Sequence, residues 1–102
     1  MDFNTLCTEY VVDTRIVVGD IVRHFKREML DPKEDKLQYL YRVEDIAYDC
    51  NHNNYVVVYK ALYEDPLGIT PRLYVRELKD FYSEVDHKKY PNIKQKYRFE
   101  RV

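Results

Sequence analysis

The spacing of apolar residues changes along the chain, and this change constrains the fold more than any other feature of the sequence. The first segment carries apolar residues three or four positions apart, at Phe3, Leu6, Cys7, Tyr10 and Val11. This spacing is typical of a short amphipathic helix. From Ile16 onward the apolar residues recur at every second position in short runs, as in half-buried strands. We therefore expect a helical segment over residues 1–15 and a β domain over residues 16–102.

Short strands are predicted throughout the second segment. The runs 21–26, 37–48 and 55–63 are rich in β-branched and aromatic residues, and shorter runs follow at 73–76, 82–85 and 95–101. The sequence DCNHNN at 49–54 favours a turn, so the second and third runs should form a hairpin. Several short strands with almost no helix predict a small all-β barrel of five or six strands.

The connecting segments are predicted from charge and proline. Residues 27–36 are charged and contain Pro32, and residues 65–71 are bounded by prolines, so both should be loops. The segment 77–81 suits a single helical turn that places Leu78 and Phe81 in the core.

Length and composition exclude several classes of protein. A chain of 102 residues fits one domain, and 45% hydrophobic with 34% charged residues fits a folded one. No apolar run approaches the 18 or so residues of a membrane span, and the start of the chain lacks the pattern of a signal peptide. We expect a cytoplasmic protein that does not contact membranes, with Cys7 and Cys50 as free thiols.

Charge is unevenly distributed, although the net charge is only −1. Residues 1–86 have a net charge of −6, whereas residues 87–102 contain six Lys or Arg and one Glu, a net of +5. Lys94, Lys96 and Arg98 alternate, so they would share one face of a strand. Such a face could bind single-stranded nucleic acid, or it could simply pair with an acidic neighbouring strand.

Arginine and histidine supply the candidate binding residues. Arg23, Arg76 and Arg98 come from three different predicted strands, and together they could hold one phosphate or carboxylate. Alternatively they could pair with glutamates across strands. His24 could act as a general base or contact a ligand, or its ring could bond a neighbouring backbone or carboxylate group.

The eleven tyrosines permit two interpretations. Their rings could stack on bases, or they could fill the core while their hydroxyls reach water. Tyr59, Tyr63 and Tyr74 are the ones most suited to a binding site. The pair Cys50 and His52 lacks the paired spacing of zinc ligands, so we expect no metal and no cofactor.

Four blocks of sequence resemble a known family. They are Arg23-His24-Phe25-Lys26, VVYKALY at 57–63, Tyr74-Val75-Arg76 and Arg98-Phe99. In this order they resemble the bacterial family named domain of unknown function 1653, over about residues 19–101. The resemblance implies a small SH3-like barrel, to which residues 1–15 would add a short N-terminal helix, and it implies no established activity.

These observations favour a non-catalytic recognition module over an enzyme. The expected partner is a small anionic ligand or a protein or peptide. Single-stranded nucleic acid is the alternative, and a minor enzymatic role around His24 is a second one. The candidate ligand-binding residues are Arg23, His24, Lys26, Tyr59, Tyr63, Tyr74, Arg76 and Arg98. The sequence leaves the oligomeric state open.

Overall fold

A computed structural model describes residues 16–31, 33, 37–63 and 73–102. The predicted N-terminal helix and the loop at 65–71 lie outside the described residues. The described elements are strands β1 (Ile21–His24), β2 (Leu40–Asp49), β3 (Asn54–Ala61), β4 (Leu73–Glu77) and β5 (Phe99–Arg101), a 3-10 helix (Phe25–Met29) and the single-turn helix α1 (Leu78–Phe81). None of the helices in these residues is long and apolar enough to cross a membrane.

The five strands form one antiparallel sheet in the order β4-β3-β2-β1-β5. The prediction of a mostly β protein is therefore confirmed. The sheet is open in the described part of the chain, with β4 and β5 as its edges, so the predicted barrel is not confirmed.

The hairpin of β2 and β3 is confirmed, together with its turn. The Asp49 carboxylate accepts hydrogen bonds from the backbone N–H groups of Asn51 and His52, and Asn53 takes the left-handed backbone that asparagine tolerates (φ 52°). The register shifts between Val43 and Asp45, which marks a bulge in β2.

One face of the sheet carries the core. Alternate strand residues lie buried there, namely Val22, His24, Tyr41, Val43, Val57, Tyr59, Ala61 and Phe99. The helix α1 covers this inner face with Leu78 and Phe81, as predicted. The Phe81 ring stacks on that of Phe99 with centroids 4.3 Å apart. Burial of a large apolar side chain such as these contributes about 1.5–3 kcal/mol to stability.

Two strand boundaries near the start of the domain differ from the prediction. The first strand ends at His24 rather than at residue 26, because the His24 ring accepts a hydrogen bond from Lys26 N–H and caps the 3-10 helix there. Part of the predicted loop 27–36 is therefore helical. The strand β2 begins at Leu40 rather than residue 37, because Tyr39 has a left-handed backbone (φ 65°) that a strand does not accommodate.

The predicted closing strands at 82–85 and 95–101 are largely replaced by side-chain hydrogen bonds. Only β5 and an isolated bridge between Glu84 and Tyr97 are regular. The Gln95 amide donates to the carbonyls of Arg23, Tyr97 and Arg98. The Glu100 carboxylate accepts from the N–H groups of Lys96 and Tyr97. Side chains thus satisfy backbone groups that a ladder would otherwise pair.

Candidate functional site

His24 is the last residue of β1 and lies buried on the inner face. Its ring contacts Phe25 and Phe99 with centroids 4.5 and 5.0 Å away. Its Nδ1 accepts the hydrogen bond from Lys26 N–H at 3.1 Å, so the ring does bond a neighbouring backbone group. Because Nδ1 is an acceptor, the proton of the neutral ring lies on Nε2.

The protonation state of His24 is set by its surroundings. Burial lowers the pKa of His24 from 6.5 to about 3, and the positive charges of Arg76 and then Arg98 contribute further. Lys26, which is exposed, adds to this effect, whereas Asp80 opposes it. The ring is therefore neutral at pH 7 and offers a donor rather than a charge.

Arg76 and Arg98 converge on one carboxylate. Arg76 lies on the inner face of β4, and its Nη1 is 2.6 Å from Asp80 Oδ2. Arg98 directly precedes β5, and its Nη2 is 3.4 Å from Asp80 Oδ1. The α1 helix positions Asp80 between the two guanidinium groups.

Further contacts fix both arginines. The Nε of Arg76 donates to the Tyr59 hydroxyl at 3.3 Å, and the Nε of Arg98 donates to Ser83 Oγ at 3.2 Å. The guanidinium of Arg76 lies over the ring of Phe99, 5.7 Å from its centroid. The backbone around Arg98 is also held, since its N–H donates to the Ser83 carbonyl and its carbonyl accepts from Phe25 N–H.

The charge of this cluster is not balanced. Two guanidinium groups face one carboxylate, which leaves one positive charge in excess. Burial alone would lower the pKa of Arg76, but the hydrogen bonds to Tyr59 and Asp80 outweigh it and raise that pKa. Nη2 of Arg76 and Nη1 of Arg98 have no hydrogen-bond partner in the described part of the chain. These donors can serve a further acceptor.

A tyrosine cluster, formed by Tyr41, Tyr59, Tyr63 and Tyr74, lies beside the arginines. The Tyr59 and Tyr74 rings stack with centroids 5.7 Å apart, and the ring centroid of Tyr74 lies 5.9 Å from that of Tyr41. The hydroxyls of Tyr41 and Tyr63 are hydrogen-bonded at 2.8 Å. Burial, followed by this hydrogen bond, raises the pKa of Tyr41, and burial also raises the pKa of Tyr63. The structure thus brings together all three tyrosines selected from the sequence.

Arg23 does not join this site. Neighbouring strand residues point to opposite faces, so Arg23 lies on the other side of the sheet from His24. Its Nε donates to Gln95 Oε1 at 3.1 Å, and its Nη2 is 3.4 Å from Glu100. Glu100 is its direct partner across β1 and β5, so Arg23 follows the cross-strand alternative that the sequence left open.

Asp80, Ser83 and Tyr41 were missed in the sequence. Asp80 carried a signal, because it lies four residues after Arg76, a spacing that brings opposite charges together when a helical turn intervenes. Ser83 and Tyr41 carried none, since only the packing of α1 and β2 brings them to the site.

The other candidate residues lie apart from this cluster. Lys94 and Lys96 are exposed, and Lys96 pairs with Glu84 at 3.7 Å, whereas the Arg98 side chain extends to Asp80. His52 pairs with Asp49 at 2.8 Å, and the neighbouring Cys50 is an exposed free thiol. Among the described residues there is no group of three His, Cys, Asp or Glu side chains that could hold a metal ion.

The described residues define an all-β domain with a site of two arginines, a neutral histidine and several tyrosines on the inner face of its sheet. The chain belongs to the family described as protein of unknown function (DUF1653), whose profile matches residues 20–101. The family resemblance seen in the sequence is therefore confirmed. Searches of curated proteins and of solved structures found no match.

Proposed function

We propose that this protein is a non-catalytic recognition module that binds a small anionic ligand between Arg76 and Arg98. The observation that carries the proposal is the convergence of two guanidinium groups, from different segments of the chain, on the single carboxylate of Asp80. One positive charge remains for a ligand. A carboxylate or phosphate matches the planar donor pattern of guanidinium better than any other common group.

Neighbouring side chains would support such a ligand without adding charge. Neutral His24 supplies an N–H donor at Nε2, and the tyrosine cluster contributes the hydroxyl of Tyr59. Because Arg76 and Arg98 are already held by Tyr59 and Ser83, the ligand would bind to donors that are largely in place. Such preorganisation lowers the entropic cost of binding.

The anionic group could belong to a free metabolite or to an acidic side chain of a protein or peptide partner. Both present the same carboxylate or phosphate to the arginines. We propose that this recognition takes place in the cytoplasm, and that the open sheet belongs to a domain related to SH3-like barrels.

An enzymatic role around His24 is less well supported. A general base works best with a pKa near the operating pH, whereas the pKa of His24 is about 3. Its Nδ1 lone pair is also occupied by Lys26 N–H. His24 is therefore better suited to donate a hydrogen bond than to accept a proton.

Single-stranded nucleic acid is the second candidate partner. The net charge of +5 over residues 87–102 favours it. However, Arg98 is held at the inner face by Asp80, and Lys96 is 3.7 Å from Glu84, which leaves a smaller basic surface than the sequence suggested.

A thermal-shift screen with nucleotides, sugar phosphates, dicarboxylates and acidic peptides tests the proposal. A ligand at 100 times its dissociation constant adds about 2.7 kcal/mol to the free energy of unfolding. In a domain of this size, this raises the melting temperature by about 10 °C or more. Arg76→Gln and Arg98→Gln should each abolish the shift. Arg42→Gln is the matched control, because Arg42 forms an exposed ion pair with Glu44. Equal shifts in all three variants would contradict the proposal.

A further inference from the structure

A cavity of about 510 Å³ lies where the turn between β2 and β3 meets the start of α1. Its lining includes Tyr48, Asn53, Asn54, Tyr55, Glu77 and Lys79. It shares no lining residue with the cluster around Arg76 and Arg98. Its volume falls in the range of pockets that bind small molecules.

Two tyrosines form the aromatic part of this cavity. Tyr48 and Tyr55 are direct partners across the hairpin, and their rings meet edge to face with centroids 5.1 Å apart. Tyr48 retains 52% of its surface exposed, so an aromatic ring is presented to solvent at the cavity. The electron-rich face of such a ring attracts cations, and a guanidinium group also stacks on it.

Hydrogen-bond acceptors form the polar part. The amide nitrogen of Asn54 donates to Oε1 of Glu77, which fixes the orientation of both side chains. The amide oxygen of Asn54 is buried and has no hydrogen-bond partner among the described residues. A buried acceptor without a donor is rare in native proteins and calls for an explanation. The Glu77 carboxylate adds a negative charge beside it.

We propose that this cavity binds a guanidinium group. Guanidinium is planar, carries five N–H donors and keeps its positive charge at every accessible pH. It can therefore stack on Tyr48 while it donates to the Glu77 carboxylate. An anion would instead meet that carboxylate, and it would gain attraction only from Lys79.

Lys79 provides a test of whether the bound ligand is a cation or an anion. Lys79 lines the same cavity, and its positive charge repels a bound cation, so the removal of this charge strengthens the binding of a cation and weakens that of an anion. A role of Lys79 in the fold alone would not reverse sign with the charge of the ligand.

The experiment titrates N-acetyl-arginine methylamide into the full-length protein and follows amide chemical shifts by NMR. The neutral citrulline analogue, which has the same shape, serves as the ligand control. We expect saturable shifts at Tyr48, Asn54 and Tyr55 with the arginine compound only. Glu77→Gln should weaken binding about tenfold or more, Tyr48→Leu should weaken it about two- to fivefold, and Lys79→Gln should strengthen it several-fold.

Glu84→Gln is the matched control for the loss of a carboxylate, because Glu84 is exposed and is not part of the cavity lining. Melting temperatures of all variants establish that each one folds, and Glu77→Gln keeps an acceptor for the Asn54 amide. A short arginine-containing peptide that binds tighter than the free compound would identify a protein as the source of the guanidinium. Equal binding of citrulline, no saturation at millimolar ligand, or weaker binding by Lys79→Gln would overturn the proposal.

Discussion

His24 should make the stability of this protein unusually sensitive to acid. The unfolded chain takes up a proton on this side chain near pH 6.5, whereas the folded protein does so only near pH 3. Between these values the unfolded state binds one more proton than the folded state, so stability falls as the pH falls. Above pH 6.5 the ring is neutral in both states and contributes no pH dependence.

The magnitude follows from the two pKa values. Each pH unit between them costs about 1.4 kcal/mol, so that the loss from pH 7 to pH 4 is about 3 kcal/mol for this one group. Carboxylates also titrate over part of this range, and a variant is needed to separate them. In His24→Asn the amide oxygen can replace Nδ1 as the acceptor for Lys26 N–H, and no titrating ring remains.

The assay is urea denaturation of both proteins at pH 7, 6, 5 and 4 at constant ionic strength. His24→Asn should be less stable than the wild type at pH 7, because it loses the ring contacts with Phe25 and Phe99. The wild type should then lose about 3 kcal/mol more than the variant on acidification to pH 4. Parallel losses in the wild type and His24→Asn would refute a depressed pKa.

Three further predictions concern the core, the N-terminus and nucleic acid. Phe81→Ala should cost about 3–5 kcal/mol in urea denaturation, because it empties a fully buried position, whereas Leu73→Ala at an exposed strand position should cost less than about 1 kcal/mol. Deletion of residues 1–14 should lower the melting temperature if that segment docks on the sheet, and an unchanged melting temperature with a changed size in solution would assign it to a contact with another molecule. If single-stranded DNA binds through Lys94 and Lys96, its affinity should fall with salt at a log–log slope of about −1.4, or about −0.7 for each phosphate contact, and vanish in the Lys94→Glu/Lys96→Glu protein. A flat salt dependence, or no binding at micromolar protein, would discard that partner.

The hairpin and the helical turn could be predicted because local sequence determines them. Asp49 and Asn53 satisfy the turn with their own side chains and backbone preferences. Leu78 and Phe81 are three residues apart, so one helical turn directs both into the core. Where local chemistry and the final structure agree in this way, sequence patterns are sufficient.

The edges of the sheet could not be predicted, because distant side chains determine them. The side chains of Gln95 and Glu100 form hydrogen bonds with backbone groups that would otherwise pair between the predicted closing strands. The end of β1 depends on the acceptor role of His24, which a pattern of alternating residues does not reveal.

The candidate site was predicted in part for the same reason. Arg76 and Arg98 were selected as strand arginines, and both reach the site. Arg23 was selected on the same ground but lies on the opposite face, where Glu100 is its partner. Asp80 completes the site from α1. Its contact with Arg76 joins residues four positions apart, whereas its contact with Arg98 joins distant segments and could not be predicted from the sequence.

The most direct test of the proposed anion site is an NMR titration that follows the arginine Nε–H signals. Inorganic phosphate is added to the wild-type protein at constant ionic strength, and the signals of Arg76, Arg98 and Arg42 are compared. We expect the Arg76 and Arg98 signals to shift and saturate with one dissociation constant, whereas the signal of Arg42, in its exposed ion pair with Glu44, should not saturate. Bound phosphate should also raise the pKa of His24, since its negative charge offsets the two guanidinium groups. Unsaturated, parallel changes at all three arginines, or no change at Arg76 and Arg98, would contradict an anion site between Arg76 and Arg98.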